Sequence, residues 1–345
     1  MLAVKKQVAV IALVMFFFCS SLMAADDLPF AEQELEDPDT FVTITIENDL
    51  FAGRDGGYTN GIGYSWGRGP FQTLDETDSP EWLRTMAHAF GVHDDAEHFN
   101  AATYSIFQGI QTPSDITSPD FEPDDLPYAG ILGWRGTVHS WTETRADQFS
   151  LLVGIVGPAS LAEQSQKVVH KITGSDKPMG WDYQLHNEPV FALQARRSWR
   201  HEIKDGDGHG LDFIGILEAS GGNFSSYIAG TYMVRWGTNL ARSHAAISVL
   251  PGRGINPLAG TNSEEYYVFF GVQPRYVFND IFVNGNTFRD SPSVTLKNEQ
   301  LIYSTGFVWN WKDWGLLFSL AETTATFEEG KGNARFGSLS ISYRL

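Results

Sequence analysis

Residues 41–49 read FVTITIEND, and the last three carry reactive groups. Glu47, Asn48 and Asp49 offer two carboxylates and one amide in consecutive positions. Side chains alternate along an extended chain, so Thr43, Thr45, Glu47 and Asp49 share one face. Asn48 points the other way unless the strand bulges or ends there. Thr59 begins the next extended run, and an antiparallel pair would bring it beside Asp49. Carboxylates half-buried near a membrane are costly, so they usually meet a cation or serve a function. Simple polarity at a loop end would also place acids here.

A second group lies in 157–186. The spacing predicts a helix over 161–172 that sets Glu163, Gln166 and His170 on one face. His170 is a candidate general base, because imidazole ordinarily titrates near neutral pH. Asp176 follows the helix and could bind a hard cation through oxygen. Against this stands the plain alternative of a solvated loop histidine. Two further patterns carry less. Residues 63–67 read GYSWG and match G-x-S-x-G. A nucleophile elbow needs a strand-to-helix turn, and this stretch reads as the inside of a strand. Ser65 is kept as a reserve nucleophile facing the lumen. His93 and His98, with Asp94, Asp95 and Glu97, could hold metal but read better as a solvated acidic loop.

The rest of the chain must position these residues. Its 345 residues hold 42 acids against 24 Lys and Arg, a net charge of -18. Such a balance argues against nucleic acid, whose phosphates are bound by clustered Lys and Arg. No apolar run reaches the roughly 18 residues of a spanning helix. Residues 1–24 read as a secretory signal peptide: Lys5 and Lys6, an apolar run over 8–19, then small residues ending at Ala24. Its removal would take two lysines, no acid and the one cysteine, Cys19. Residues 25–40 form an N-terminal segment and 41–345 the main domain.

Period-2 alternation predicts twelve strands near 41–49, 57–67, 101–111, 128–141, 145–156, 187–201, 209–220, 224–236, 265–279, 299–311, 314–326 and 335–345. One face is large and apolar; the other is small and polar. Runs this long, in an even number, suit an all-β, twelve-stranded antiparallel transmembrane barrel with short helices in its loops. With both termini in the periplasm, 50–57, 112–127, 157–186, 221–223, 280–298 and 327–334 become outer loops. Residues 68–100, with a short helix over 81–90, and 237–264 become long periplasmic insertions of unassigned role.

Several stretches together resemble the lipid A deacylase LpxR family. They are END at 47–49, GYTNGIGYSWG at 57–67, DLPYAG at 125–130, the segment 154–189 with its spacing of Gln166, His170, Trp181 and Gln184, GNTFRDSPSV at 285–294, and the FGSLSISYRL ending. The resemblance spans about 40–345. It implies a twelve-stranded outer-membrane barrel that removes the 3'-acyloxyacyl group of lipid A by calcium-dependent ester hydrolysis. The family's Asn-Asp pair falls on Asn48 and Asp49, its threonine on Thr59 and its catalytic histidine on His170. Its nearby Gln and acidic positions fall on Gln166 and Asp176. Asp49, Asp176, Asn48 and Thr59 are then the candidate Ca2+ ligands. Ser118 stands near a position where some members carry lysine.

The implied partners are lipid A or lipopolysaccharide and outer-membrane lipids, with no nucleic acid and a monomeric barrel. The implied location is the outer membrane of a Gram-negative bacterium, with the active site facing the outer leaflet. Two alternatives stay open: an outer-membrane phospholipase with Ser65 as nucleophile, and a non-enzymatic porin or structural barrel.

Overall fold

The structure, a computed structural model, describes residues 38–52, 57–93, 98–204, 209–240, 265–330 and 332–345. The expected signal peptide at 1–24, Asp94, Asp95, Glu97 and residues 241–264 of the second insertion lie outside the described residues.

Twelve strands close into one antiparallel barrel. They are β1 (Asp39–Asn48), β2 (Gly57–Phe71), β3 (Phe99–Thr112), β4 (Ala129–Trp141), β5 (Arg145–Val156) and β6 (Glu188–Lys204). The circuit continues with β7 (His209–Gly221), β8 (Ser225–Thr238), β9 (Glu265–Asp280), β10 (Glu299–Trp311), β11 (Trp314–Thr323) and β12 (Ala334–Arg344). Each strand pairs with its neighbours in sequence, and β1 pairs with β12. No described helix is long and apolar enough to cross a membrane.

Alternation decides which face each residue takes. Ile44, Ile46, Ile62, Tyr64, Ile106, Leu132 and Val153 are exposed on the outer wall. Their neighbours Thr43, Thr45, Ser65 and Thr137 are buried toward the lumen. Apolar groups outside and small polar groups inside are what a bilayer-spanning strand requires. The seam is stitched by inward hydroxyls: Thr43 meets Ser342 at 2.7 Å and Thr45 meets Ser340 at 2.8 Å.

The other half of the lumen holds paired charges beside a buried apolar cluster that includes Ile214, Met233, Tyr267, Phe269 and Ile302. Asp212 accepts from Arg200 at 2.8 Å and from Arg235 at 2.9 Å. Arg235 also donates to the Leu240 carbonyl at 2.7 Å. Beside them Glu218 accepts from Arg196 at 2.6 Å and from the Tyr227 hydroxyl at 2.5 Å. Buried charges survive only when paired and hydrogen-bonded, and here each has such partners.

Two helices rest on the barrel wall: α1 (Glu81–Ala89) after β2, and α2 (Ala162–Thr173) after β5. A third, four-residue helix, Ile281–Asn284, comes after β9. Because the strands alternate in direction, α2 lies at the barrel end opposite both termini, and α1 lies at the terminal end.

Candidate active site

The site starts from one cross-strand row. Asn48 of β1 pairs with Asn60 of β2, Asn60 with Ile110 of β3, and Ile110 with Gly130 of β4. Each shares strand parity with exposed outer-wall residues: Ile46, Ile62, Ile106 and Leu132. The row therefore belongs to the outward face of the wall. Asn48 does point away from Glu47, as alternation requires. Asn60, a polar residue among large apolar ones, is the visible irregularity in 58–66.

A β-bulge falls in β2 at this row. Tyr58 pairs with Gln111 and Asn60 with Ile110, so Thr59 is the extra residue. Bulges of this kind re-aim a strand end and recur beside active sites. Asp49 departs from the expected strand position. It opens a 3-10 turn, Asp49–Ala52, where it is buried. The strand ends one residue earlier than the alternation suggests.

Helix α2 is seated on this outward row. It contacts β3 and β4. A side chain at Gly130 would put its Cβ 2.1 Å from the Ala162 Cβ, so glycine is what lets the helix touch the wall. Gln108, outward on β3, donates to the Ser160 carbonyl at 2.6 Å. Beneath the helix, Ile110, Tyr128, Ala162 and Trp181 form a buried apolar cluster. Burial holds the Tyr128 hydroxyl above its ordinary titration range, and it donates to the Ile116 carbonyl at 3.1 Å. The Met179 amide donates to that same carbonyl at 2.9 Å, which ties 157–186 to 112–127. Within 112–127, the Thr117 hydroxyl and amide donate to Asp115 and hold its carboxyl below the usual range.

Gln166 and Trp181 belong to one unit. The Trp181 indole donates to Gln166 Oε1 at 2.8 Å, and both residues are buried. The Nε2 of Gln166 is buried and meets no protein acceptor. Gln184 donates to the Trp181 carbonyl at 3.0 Å. Glu163, three residues before Gln166 on the helix, pairs with Lys167 at 2.5 Å.

His170 lies in the last turn of α2 and is half-buried. Gly174 ends the helix at φ +76°, a left-handed conformation that glycine adopts freely. The chain then folds back, and His170 Nδ1 donates to the Asp176 carbonyl at 2.6 Å. That bond fixes the tautomer and leaves Nε2 as the acceptor. The Asp176 side chain is exposed, so at this residue the structure uses the backbone oxygen for the histidine. Residue type alone points to the carboxylate.

The far side of the rim has its own clamp, which the sequence reading did not single out. Buried Glu188, first residue of β6, accepts from Asn286 at 3.1 Å and from the Thr287 amide at 3.0 Å. Asn223 also donates to it at 3.3 Å. This holds the GNTFRDSPSV stretch against the 157–186 loop, where Asn286 bonds both backbone groups of His186.

Ser65 lies inside β2 with no strand-to-helix turn. It faces the lumen and lines a cavity of about 80 Å³ with Thr45, Glu47, Ser105, Phe107 and Arg135. It is thus on the other side of the wall from α2. Outside this region, His98 is buried, and the His93 carbonyl accepts from the Ser140 hydroxyl.

Among the described residues, no three Asp, Glu, His or Cys side chains converge as a metal cluster. Asn48 and Asp49, adjacent where β1 passes into the 3-10 turn, offer an amide oxygen and a carboxylate. An oxygen-only set suits a hard cation such as calcium, which accepts carbonyl and water ligands beside few carboxylates.

Comparison with known proteins completes the picture. A family model described as outer membrane protein LpxR matches residues 11–345. Among solved structures, LpxR from Salmonella typhimurium superposes with a TM-score of 0.73 at 19% identity, covering 88% of this chain and 99% of that one. The translocator domain of autotransporter NalP from Neisseria meningitidis gives a TM-score of 0.43 at 8% identity, covering 99% and 100%. The β domain of the Bordetella autotransporter BrkA gives 0.39 at 9%, covering 89% and 98%. No curated protein matches the sequence.

Proposed function

The chain belongs to the LpxR family of outer membrane proteins, a family of lipid A deacylases, and we propose that it removes the 3'-acyloxyacyl chain of lipid A by calcium-dependent hydrolysis. The observation that carries this reading is the seat of α2 on the lipid-facing wall. A histidine carried there meets a substrate whose ester lies in the leaflet rather than one that enters the lumen. Scale agrees: Ala162 to His170 rises about 12 Å along a helix, and Gly130 to Asn48 spans about 14 Å across three strand spacings.

In this mechanism His170 Nε2 takes the proton of a water whose oxygen attacks the ester carbonyl. The Asp176 carbonyl keeps the ring oriented and stabilises the imidazolium that forms. The tetrahedral oxyanion would accept from Asn48 or Thr59, while Gln166 holds Trp181 beneath the helix that carries His170. Collapse breaks the bond to the 3'-oxygen, which takes the proton back from His170, and the fatty acid leaves and gives up its remaining proton to solvent. Asn48, Asp49 and Thr59, with Asp176 beyond the helix, would hold calcium. When bound, the ion supplies Lewis-acid polarisation of the ester carbonyl.

The test is a mass spectrum of lipid A from cells expressing the wild type or His170→Ala. Loss of the acyloxyacyl chain in the first and its retention in the second are expected, with both barrels heat-modifiable on gels. Chelation should abolish the activity and added calcium restore it. Unchanged lipid A with accumulating lysophospholipid would overturn the reading in favour of Ser65. Ion conductance in planar bilayers with no lipid change would favour a pore.

A further inference from the structure

The second helix on the outer wall, α1, has no part in this chemistry. The face of β4 it covers is set by parity. Leu132 and Trp134 point outward, so Val138 does too, and its partner Phe149 on β5 shares the face of exposed Val153. Yet Val138 and Phe149 are both fully buried. They are covered by Leu74, Leu83, Ala87 and Val92, with Met86 at the edge.

The neighbouring rows show where on the wall this lies. Val138, Phe149 and Ala195 form one outward row, and it is apolar. The next row toward the terminal end is Ser140, Asp147 and Arg197, and it is charged. Asp147 binds Arg145 at 2.6 Å and Arg197 at 2.5 Å. Arg197 also donates to the Gly91 carbonyl at 2.8 Å, just past the helix. The lipid-facing band therefore ends between these two rows, and α1 lies across the boundary. The Gly130 row, where α2 sits, is eight residues along β4. At a usual barrel tilt that is a height of about 21 Å, close to the roughly 25 Å apolar band of such barrels.

The helix carries more apolar surface than the wall covers. Leu83 and Ala87 are buried against the barrel. Trp82, Met86 and Phe90 follow at i, i+4 and i+8 on the adjoining stripe. Trp82 and Phe90 stay exposed at 46% and 54%. Phe90 stacks on Phe149 with ring centres 4.9 Å apart, so its exposed side continues the barrel's own lipid-facing surface. On β3 the Tyr104 hydroxyl donates to the Asp78 carbonyl, joining the segment before α1 to a run of outward rings, Trp66, Tyr104 and Trp134. Aromatic belts of this kind mark the membrane–water interface.

We propose that α1 is an interfacial helix that seats the terminal end of the barrel in a phospholipid leaflet, with Trp82, Met86 and Phe90 inserted at the headgroup–acyl boundary. Its ligand is the glycerophospholipid surface itself. In the row that runs on from Tyr104, β5 and β6 carry Leu151 and Leu193 rather than aromatic rings, and the helix supplies the rings there. Short amphipathic helices bind bilayers by this geometry, the apolar stripe down and the charged face to water.

The test uses spin labels at single cysteines in a Cys19→Ser background, with the full barrel reconstituted in phosphatidylethanolamine–phosphatidylglycerol vesicles. Labels at Trp82→Cys and Phe90→Cys should collide several-fold less with a water-soluble nickel chelate than a label at Glu81→Cys, and more with oxygen. Equal nickel accessibility at 81, 82 and 90 would overturn the proposal. If a cysteine at 82 prevents folding, brominated phospholipids replace the labels. Their quenching of wild-type tryptophan emission should exceed that of Trp82→Tyr. No difference between the two again overturns it. Neither readout depends on deacylase activity.

Discussion

Helices α1 and α2 rest on the same outward face of the barrel wall, one at each border of the apolar band, and they are held by opposite means. α1 docks through aliphatic and aromatic area: Leu83 and Ala87 on Val138 and Phe149. α2 docks through a backbone-tight contact of Ala162 on Gly130 and through a buried amide, Gln166, bonded to Trp181. Apolar area is tolerant of small shifts and sets how firmly an element stays. Directional bonds and a glycine-wide gap set where it stays, to within a fraction of an ångström. The difference separates an anchor from a mount for chemistry.

That contrast is easiest to break at the mount. His170→Ala should lower deacylation by about 10²–10⁴, the usual contribution of a general base, with the barrel unchanged in heat-modifiability. Gly130→Leu places a side chain where Ala162 now sits. It should displace α2 and lower deacylation by about 10², the order expected for a misplacement near 1 Å. Limited proteolysis would show the 157–186 loop loosened while the barrel core stays resistant. Trp181→Phe keeps an aromatic ring, though a smaller one, and removes the indole N–H, leaving Gln166 Oε1 buried without its donor. A cost of about 1–3 kcal/mol is expected, read as a roughly tenfold drop in kcat with KM less affected. Leu83→Ala attacks the anchor instead. It should destabilise the α1 contact by about 2–5 kcal/mol, seen in hydrogen exchange of α1, with deacylation left at the wild-type rate. If Leu83→Ala reduced activity as much as Gly130→Leu, the division between the two helices would be wrong.

The strands were legible because inside and outside differ chemically at every second residue. Stretches such as TITIEND and SLSISYRL declare their faces without any tertiary information. The ends were less so. β2 runs on to Phe71 through GRGPF, and β6 to Lys204 through HEIK, where alternation of size and polarity lapses. The site residues were legible by type, and His170 and Gln166 fall on one helix as spaced. Their face was not. The acids of β1 drew attention to the lumen, whereas α2 sits on the outer row begun by Asn48 and Asn60. The contacts that decide this are a missing Cβ at Gly130 and a backbone carbonyl at Asp176. Neither has a signature in side-chain chemistry, since every residue carries a carbonyl and many barrel strands carry glycine.

The seam between β1 and β12 has a kinetic consequence. Eleven of the twelve pairings join strands adjacent in sequence and can form as each hairpin arises. The twelfth joins Thr43 to Ser342, separated by 299 positions. Closure entropy grows slowly, at about 0.6 kcal/mol for each doubling of loop length, so the cost of that last pairing is modest. Its timing is not. Until the C-terminal strand arrives, β1 presents an unpaired edge to whatever surrounds it, and no partly made barrel is sealed. The short hydroxyl ladder at the seam is then a latch of low sequence specificity, Thr and Ser against Ser. It can be tried in registers two residues apart before the outward Ile44–Ile341 and Ile46–Leu339 pairs settle it. The rate at which this protein becomes a membrane barrel should therefore be governed at its two termini, far from either helix.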